Sequence, residues 1–263
     1  MTNVRAEPLM IWNGGRRLFA VYRQASAPQR AAVLVCPPFF HEHFLSYRLL
    51  SQIAERLAAN GISTLRFDYY GAGDSDGDSR EFSLDGAIAD TDAALDALRA
   101  RVGGVPVYML GARSGAWPAA KAATQNGFRL WLWQPVADGA EWLDHLERLD
   151  AKERASRSRY PLIGSATKPP DEGHLVGYVC AAPLRDAIAD TRLADIIARA
   201  PVPVDVIADA ADPPFASATR EFRLPENVAH WHGGADMQAI FFTRTLAAIV
   251  DELAGVVPQP GAA

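Results

Sequence analysis

The chain is poor in cysteine. Two residues of 263, Cys36 and Cys180, each sit inside an apolar run. Two cysteines exclude a disulfide framework, and without metal-type spacing they fit a reducing compartment. No apolar run approaches the ~20 residues a membrane span needs. The start, Met1 to Pro8, carries charge and no apolar h-region, so no signal peptide is expected and the reading is a soluble cytoplasmic protein. Runs of Lys and Arg are also missing, and the net charge is −5. Nucleic acid is therefore not an expected partner. Internal repeats are absent. Apolar material is plentiful, at 49% of residues, enough for one large α/β core.

That material is organised in short runs. Val33–Cys36, Thr64–Asp68, Val107–Leu110, Leu130–Trp133 and Val204–Ile207 read as strands apolar on both faces, the signature of a parallel sheet covered on both sides. Between them, Tyr47–Ala58 and Leu84–Leu98 carry apolar residues at helical spacing. The alternation predicts a doubly wound α/β sheet. Leu9–Trp12 and Leu18–Tyr22, split by Gly14-Gly15, predict an antiparallel hairpin at its edge. Residues 139–175 interrupt the pattern with a charged helical stretch, Glu141–Arg159, and then a Pro/Gly-rich connection. This is a candidate cap or, equally, a long surface connection. Residues 1–255 read as one domain and 256–263 as a frayed tail.

Val107 to Ala116 reads as a buried strand, a Gly-bounded tight turn and the start of a helix. Gly111 and Gly115 bracket Arg113, with Ser114 one residue later. A guanidinium is permanently protonated and cannot attack a carbonyl. Two registers are open. Arg113 sits in the turn framed by the glycines, or Ser114 does, framed by Ala112 and Ala116. The glycine spacing favours Arg113, and Ser114 then opens the helix as a capping side chain. On that register Ser114→Ala is expected to change little.

Several stretches together carry a resemblance. They are Pro37-Pro38-Phe39-Phe40-His41-Glu42 followed by Arg48, the run Phe67 to Asp78 with its Asp-x-x-Gly-x-Gly-Asp-Ser loop, the elbow, and Trp133-Gln134-Pro135-Val136. The chain resembles an α/β-hydrolase of the serine aminopeptidase-like group. It is more closely similar to the exosortase A system-associated hydrolase 2 group and relatives near polysaccharide and natural-product gene clusters, which share a Gly-x-Arg-x-Gly elbow. The likeness spans most of residues 30–150 and, weakly, 177–193. It implies an α/β-hydrolase fold with a mostly parallel sheet of about eight strands, to which residues 139–175 are the candidate small cap. It supplies the label of hydrolase without a substrate. His41, Ser114 and the C-terminal third depart from the pattern.

The candidate site follows from this order of parts. Arg113 beside a helix N-terminus suits an anion or acyl carbonyl, and Glu42, after the Pro37-Pro38 turn, is its expected carboxylate partner. Phe39, Phe40, His41 and Ala112 are the candidate binding residues around them. Asp212, with Asp209 as the alternative, stands where the acid of a triad belongs. His232, with His230 on the same face, stands where its base belongs. His41-Glu42-His43 invites a metal, but adjacent turn residues rarely converge on one ion, so no metal is expected. No cofactor is expected either, because Gly71-Ala72-Gly73-Asp74 leads into Asp76 and Asp78, which would repel a pyrophosphate. Asp74 and Ser75 more simply hydrogen-bond local backbone.

Three functions remain open. The chain could bind or transform an acyl- or carboxylate-bearing small molecule without serine-hydrolase chemistry. It could be an ester or thioester hydrolase or acyltransferase using Ser114 with a late histidine. It could also be a non-catalytic interaction protein, with a homodimer as a candidate assembly.

Overall fold

A computed structural model describes residues 5–26, 28–155, 173–210, 212–225, 231 and 240–259. In chain order the elements are β1 (Ala6–Asn13), β2 (Arg16–Arg23), β3 (Ala31–Cys36), α1 (Phe40–Ala59), β4 (Ile62–Phe67), α2 (Leu84–Val102), β5 (Val107–Ala112), α3 (Ala116–Asn126) and β6 (Arg129–Trp133). These are followed by α4 (Gly139–Arg154), β7 (His174–Leu175), β8 (Tyr178–Val179), α5 (Ala182–Ala189), α6 (Leu193–Ala198), β9 (Val204–Asp209), β10 (Arg220–Leu224) and α7 (Arg244–Gly255).

Eight strands form one sheet in the order β1-β2-β4-β3-β5-β6-β9-β10. The pairs from β4 through β10 are parallel, while β2 pairs antiparallel with both β1 and β4. The β1–β2 hairpin closes through Gly14 and Gly15 at φ 54° and 90°. A two-residue turn that matches strand twist needs positive φ at both positions, which glycine adopts without strain. β7 and β8 make a separate small ribbon.

Period-two alternation divides the core. Ala32, Leu34 and Cys36 of β3 face one cluster with α2 and α3, whereas Ala31, Val33 and Val35 face a second cluster with α1 and α7. Both faces of the central strands are thus covered, which is why those runs are apolar throughout. The helices begin where polar side chains meet free amides: Ser83 caps α2, Asp138 caps α4 and Thr243 caps α7.

The boundaries differ from the sequence reading in four places. α1 starts at Phe40 rather than near Tyr47, so Glu42 lies in its first turn rather than in a loop. α4 ends at Arg154, with residues 156–172 outside the described part. Trp142, Leu143 and Leu146 of α4 join the main core. β10 adds a half-buried edge strand whose charged, mixed pattern carried no strand signal. The stretch after Gly255 is not wholly frayed. Val257 is 2% exposed, and its carbonyl accepts from Arg30 Nη1 at 2.9 Å.

No helix among the described residues is long and apolar enough to cross a membrane.

Candidate functional site

The site is built where β3 and β5, adjacent and parallel, end at the same edge of the sheet. β5 runs into a single 3-10 turn, Arg113–Gly115, and then α3. Arg113 sits at φ 50°, a conformation that costs a non-glycine residue on the order of 1–3 kcal/mol and persists only where the surroundings enforce it. The two glycines supply the enforcement. A Cβ on Gly111 would lie 2.5 Å from the Ala116 Cα, and one on Gly115 would collide with the carbonyls of Cys36 and Pro37. Strand, helix and the β3 exit therefore press on one turn, and Arg113 is left at its apex.

From there Arg113 Nε donates to Glu42 Oε1 at 3.1 Å and Nη1 donates to the Gln134 carbonyl at 2.9 Å. Its guanidinium carbon stands 5.7 Å from the Trp231 ring centroid. The Arg113 side chain is 11% exposed and that of Glu42 1%. Such a pair is retained only if both charges find partners. Arg113 Nη2 has no hydrogen-bond partner among the described residues, and Glu42 Oε2 and His41 Nδ1 are buried and unpartnered as well. One donor and two polar atoms thus remain open around the ion pair.

The neighbouring imidazoles are held neutral. Burial pushes the His41 pKa down. Glu42 opposes this, and His145 and Arg113 reinforce it. His145, on α4, is also pushed down by burial, against Glu42 and with Arg113 and Arg148. Gln134 ties the far wall together at φ 43°. Its amide nitrogen donates to Asp209 Oδ1 at 2.8 Å, and its side-chain oxygen accepts from Trp231 Nε1 at 2.6 Å.

The candidate residues fall in different places. Ser114 is fully buried and caps no helix. Its Oγ accepts from the Phe39 backbone N–H at 2.9 Å, tying the elbow to the entry of α1. The capping expectation is corrected, because α3 begins at Ala116 and the amide in reach of Ser114 belongs to the other loop. Asp212 is exposed and accepts from the Asp209 N–H at 3.1 Å, closing the turn after β9. The carboxylate bonded into the wall is Asp209, which the end of β9 points toward Gln134. His230 and His232 lie outside the described residues. Ala112 is buried in the core against the α1 and α7 side. His41 and His43 diverge: His43 Nε2 bonds Asp68 Oδ1 at 3.0 Å, away from Arg113.

Phe39 and Phe40 part company too. Phe39 packs edge-on against Tyr69, Phe82 and Trp117, whereas Phe40, at φ 55°, stacks on Trp142 at 5.7 Å. Both line a cavity on the side of His43. Ser75 hydrogen-bonds backbone, as expected of it, bridging the Phe19 N–H and the Asp68 carbonyl, while Asp74 uses its own N–H toward Asp68 Oδ2. Sequence reasoning missed His145, Gln134 as a linker and the His43–Asp68 pair. Only Gln134 left a signal, in its position one residue beyond an all-apolar strand.

Residues 27–130 match the family described as serine aminopeptidase, S33, a stretch that runs from the entry of β3 through the elbow and α3 into β6. No curated protein matches the chain. Among solved structures, Est1E from Butyrivibrio proteoclasticus with ferulic acid bound is 19% identical, with a TM-score of 0.62, over 93% of this chain and 97% of that one. A hypothetical protein from Pseudomonas aeruginosa is 16% identical, with a TM-score of 0.63, over 97% and 93%. The esterase domain of a Rhodothermus marinus protein is 15% identical, with a TM-score of 0.59, over 95% and 97%. The shared feature at these identities is the α/β-hydrolase fold: a mostly parallel eight-stranded sheet with helices on both faces.

Proposed function

We propose that the protein holds the acyl end of a small molecule at Arg113 and does not run serine-hydrolase chemistry through Ser114. The observation that carries this reading is the apex of the elbow, occupied by Arg113 at φ 50° with Nη2 open, while Ser114 is buried with its oxygen engaged. A nucleophile must reach the reacting carbon at about 3–3.5 Å, and a fully buried hydroxyl on the wrong side of the turn does not.

The charge of the pair selects the ligand. Arg113 and Glu42 together are neutral, so a full carboxylate gains attraction from one and repulsion from the other. An uncharged acyl carbonyl can accept from Arg113 Nη2 without that repulsion. A carboxylate is the weaker member of the same class. His41 and His145, kept neutral by burial, add no charge at neutral pH. α4, whose His145 faces the ion pair, covers this ligand. The resemblance of the elbow and the Trp133–Val136 block to the exosortase A system-associated hydrolase 2 group supports a role in a polysaccharide or natural-product pathway. The cytoplasm suits two buried free thiols, that of Cys180 raised to about 11 by burial.

A second reading keeps ester or thioester cleavage by Ser114 with a late histidine. It is favoured by the serine aminopeptidase match and by the ferulic acid bound to Est1E.

Calorimetric titration with butyramide and butyrate tests the first reading. Butyramide is expected to bind more tightly, and both to lose binding in an Arg113→Met/Glu42→Met double variant, which replaces the pair by apolar side chains without leaving a lone charge. Unchanged binding in that variant, or none in the parent, overturns it.

A further inference from the structure

On the other side of the Phe39-Phe40 turn lies a cavity of about 190 Å³ that Arg113 does not line. Its walls are aromatic, with Phe40, Phe44, Phe82 and Tyr178 among them, and His43 and Ser79 add polar side chains. Phe44 is 58% exposed, so an apolar ring stands at the mouth. A dry cavity of about 150 Å³ accommodates benzene. The space here therefore takes one ring and a small substituent, and no more.

The histidine in this wall is oriented. Nε2 faces Asp68 Oδ1 at 3.0 Å, and the other oxygen of Asp68 accepts the Asp74 N–H at 3.0 Å. A carboxylate accepts, so Nε2 carries the proton, and in the neutral ring Nδ1 is then an acceptor. No hydrogen bond occupies Nδ1 among the described residues. Gly73, at φ 57°, fixes the arrangement: a Cβ there would strike Asp68 Oδ2 and lie 2.9 Å from His43 Cε1. The loop after β4 thus clamps the His–Asp pair, and only glycine lets the backbone lie this close. Asp68 thus fixes the orientation and tautomer of the imidazole, as a hydrogen-bonded carboxylate does behind a histidine.

We propose that this cavity binds a small aromatic alcohol, its ring between the aromatic walls and its hydroxyl donating to His43 Nδ1. A donor substituent suits this wall, because an imidazole whose Nε2–H faces Asp68 offers its other nitrogen as an acceptor. The proposal stands apart from the acyl site at Arg113.

The probes are 4-methylphenol and toluene, which differ by one hydroxyl, followed by ligand-detected NMR titration of the full chain. The parent is expected to bind 4-methylphenol at least fivefold more tightly than toluene. His43→Phe keeps a ring in the wall and removes the acceptor, so the ratio should fall to about one, with the melting curve confirming that this variant is folded. Ala72→Trp, in the cavity wall, should abolish binding of both probes, with the melting curve confirming that the variant is folded. Arg113→Met/Glu42→Met should retain the full preference, which separates this claim from the acyl reading. Equal binding of the two probes by the parent, no binding of either, a preference that survives in folded His43→Phe, or one lost in the double variant overturns the proposal.

Discussion

Arg113 Nε and Glu42 Oε1 meet at 3.1 Å, with Glu42 almost wholly buried. The contact follows from topology. β3 and β5 are parallel neighbours, so the first turn of α1 and the turn after β5 face each other at one edge of the sheet. Replacing Glu42 by Gln leaves the guanidinium without its counter-charge, at a cost on the order of 3–5 kcal/mol. At roughly 2–4 °C per kcal/mol for a chain near this size, thermal denaturation should show a fall of about 6–20 °C. The Arg113→Met/Glu42→Met double variant should recover most of it. A Glu42→Gln protein as stable as the parent contradicts the assigned pairing.

Ser114→Ala removes the acceptor of the Phe39 N–H. From sequence alone that change reads as near neutral. The buried hydrogen bond at 2.9 Å revises the expectation to a loss of about 1–3 kcal/mol, the cost of an orphaned buried donor. Chemical denaturation of the two proteins measures it. Any catalytic activity found should survive the change, and a loss of activity with full stability would assign Ser114 to the chemistry instead.

Gly115→Ala should be among the least tolerated substitutions in the chain. The added methyl meets two backbone carbonyls, of Cys36 and Pro37, neither of which can rotate away. The expected penalty is on the order of 4 kcal/mol or more, read as loss of folded protein or a melting temperature lowered by more than about 8 °C. Gly104→Ala, where no atom lies within 4 Å of the added carbon, is the matched control and should fold normally.

Acid should weaken the protein through the elbow. His41 and His145 both have native pKa values below the ordinary 6.5, chiefly from burial. Each therefore binds fewer protons folded than unfolded below that pH. Their contribution is fully present above about 6.5 and is lost as pH falls toward the native values. Between pH 7 and 5 the melting temperature should drop, and the drop should be shallower in His41→Gln, which cannot be protonated there. Parallel pH profiles for the two proteins would remove His41 from this role.

The fold was legible because its determinants are local. Apolar runs at Val33–Cys36 and Val107–Leu110 are buried on both faces, and Gly111 and Gly115 mark a turn that only small residues permit. The Arg113 side of the site was legible through the same glycines. The rest was set by long-range contacts that no spacing records. His145 reaches the ion pair from α4, about thirty positions beyond the elbow. Asp68 finds His43 only because the end of β4 lies beside the first turn of α1. Strand length separates Asp209 from Asp212: β9 runs to Asp209 and carries that carboxylate to Gln134, while Asp212 closes an exposed turn.

The central claim is that the elbow presents a guanidinium and not a nucleophile. Intact-mass analysis of the native protein after exposure to a fluorophosphonate, with peptide mapping of residues 107–126, tests it directly. The expected result is an unmodified chain under conditions that label a serine hydrolase completely. A stoichiometric adduct on Ser114, absent from Ser114→Ala, would contradict the claim and restore serine-hydrolase chemistry to this site.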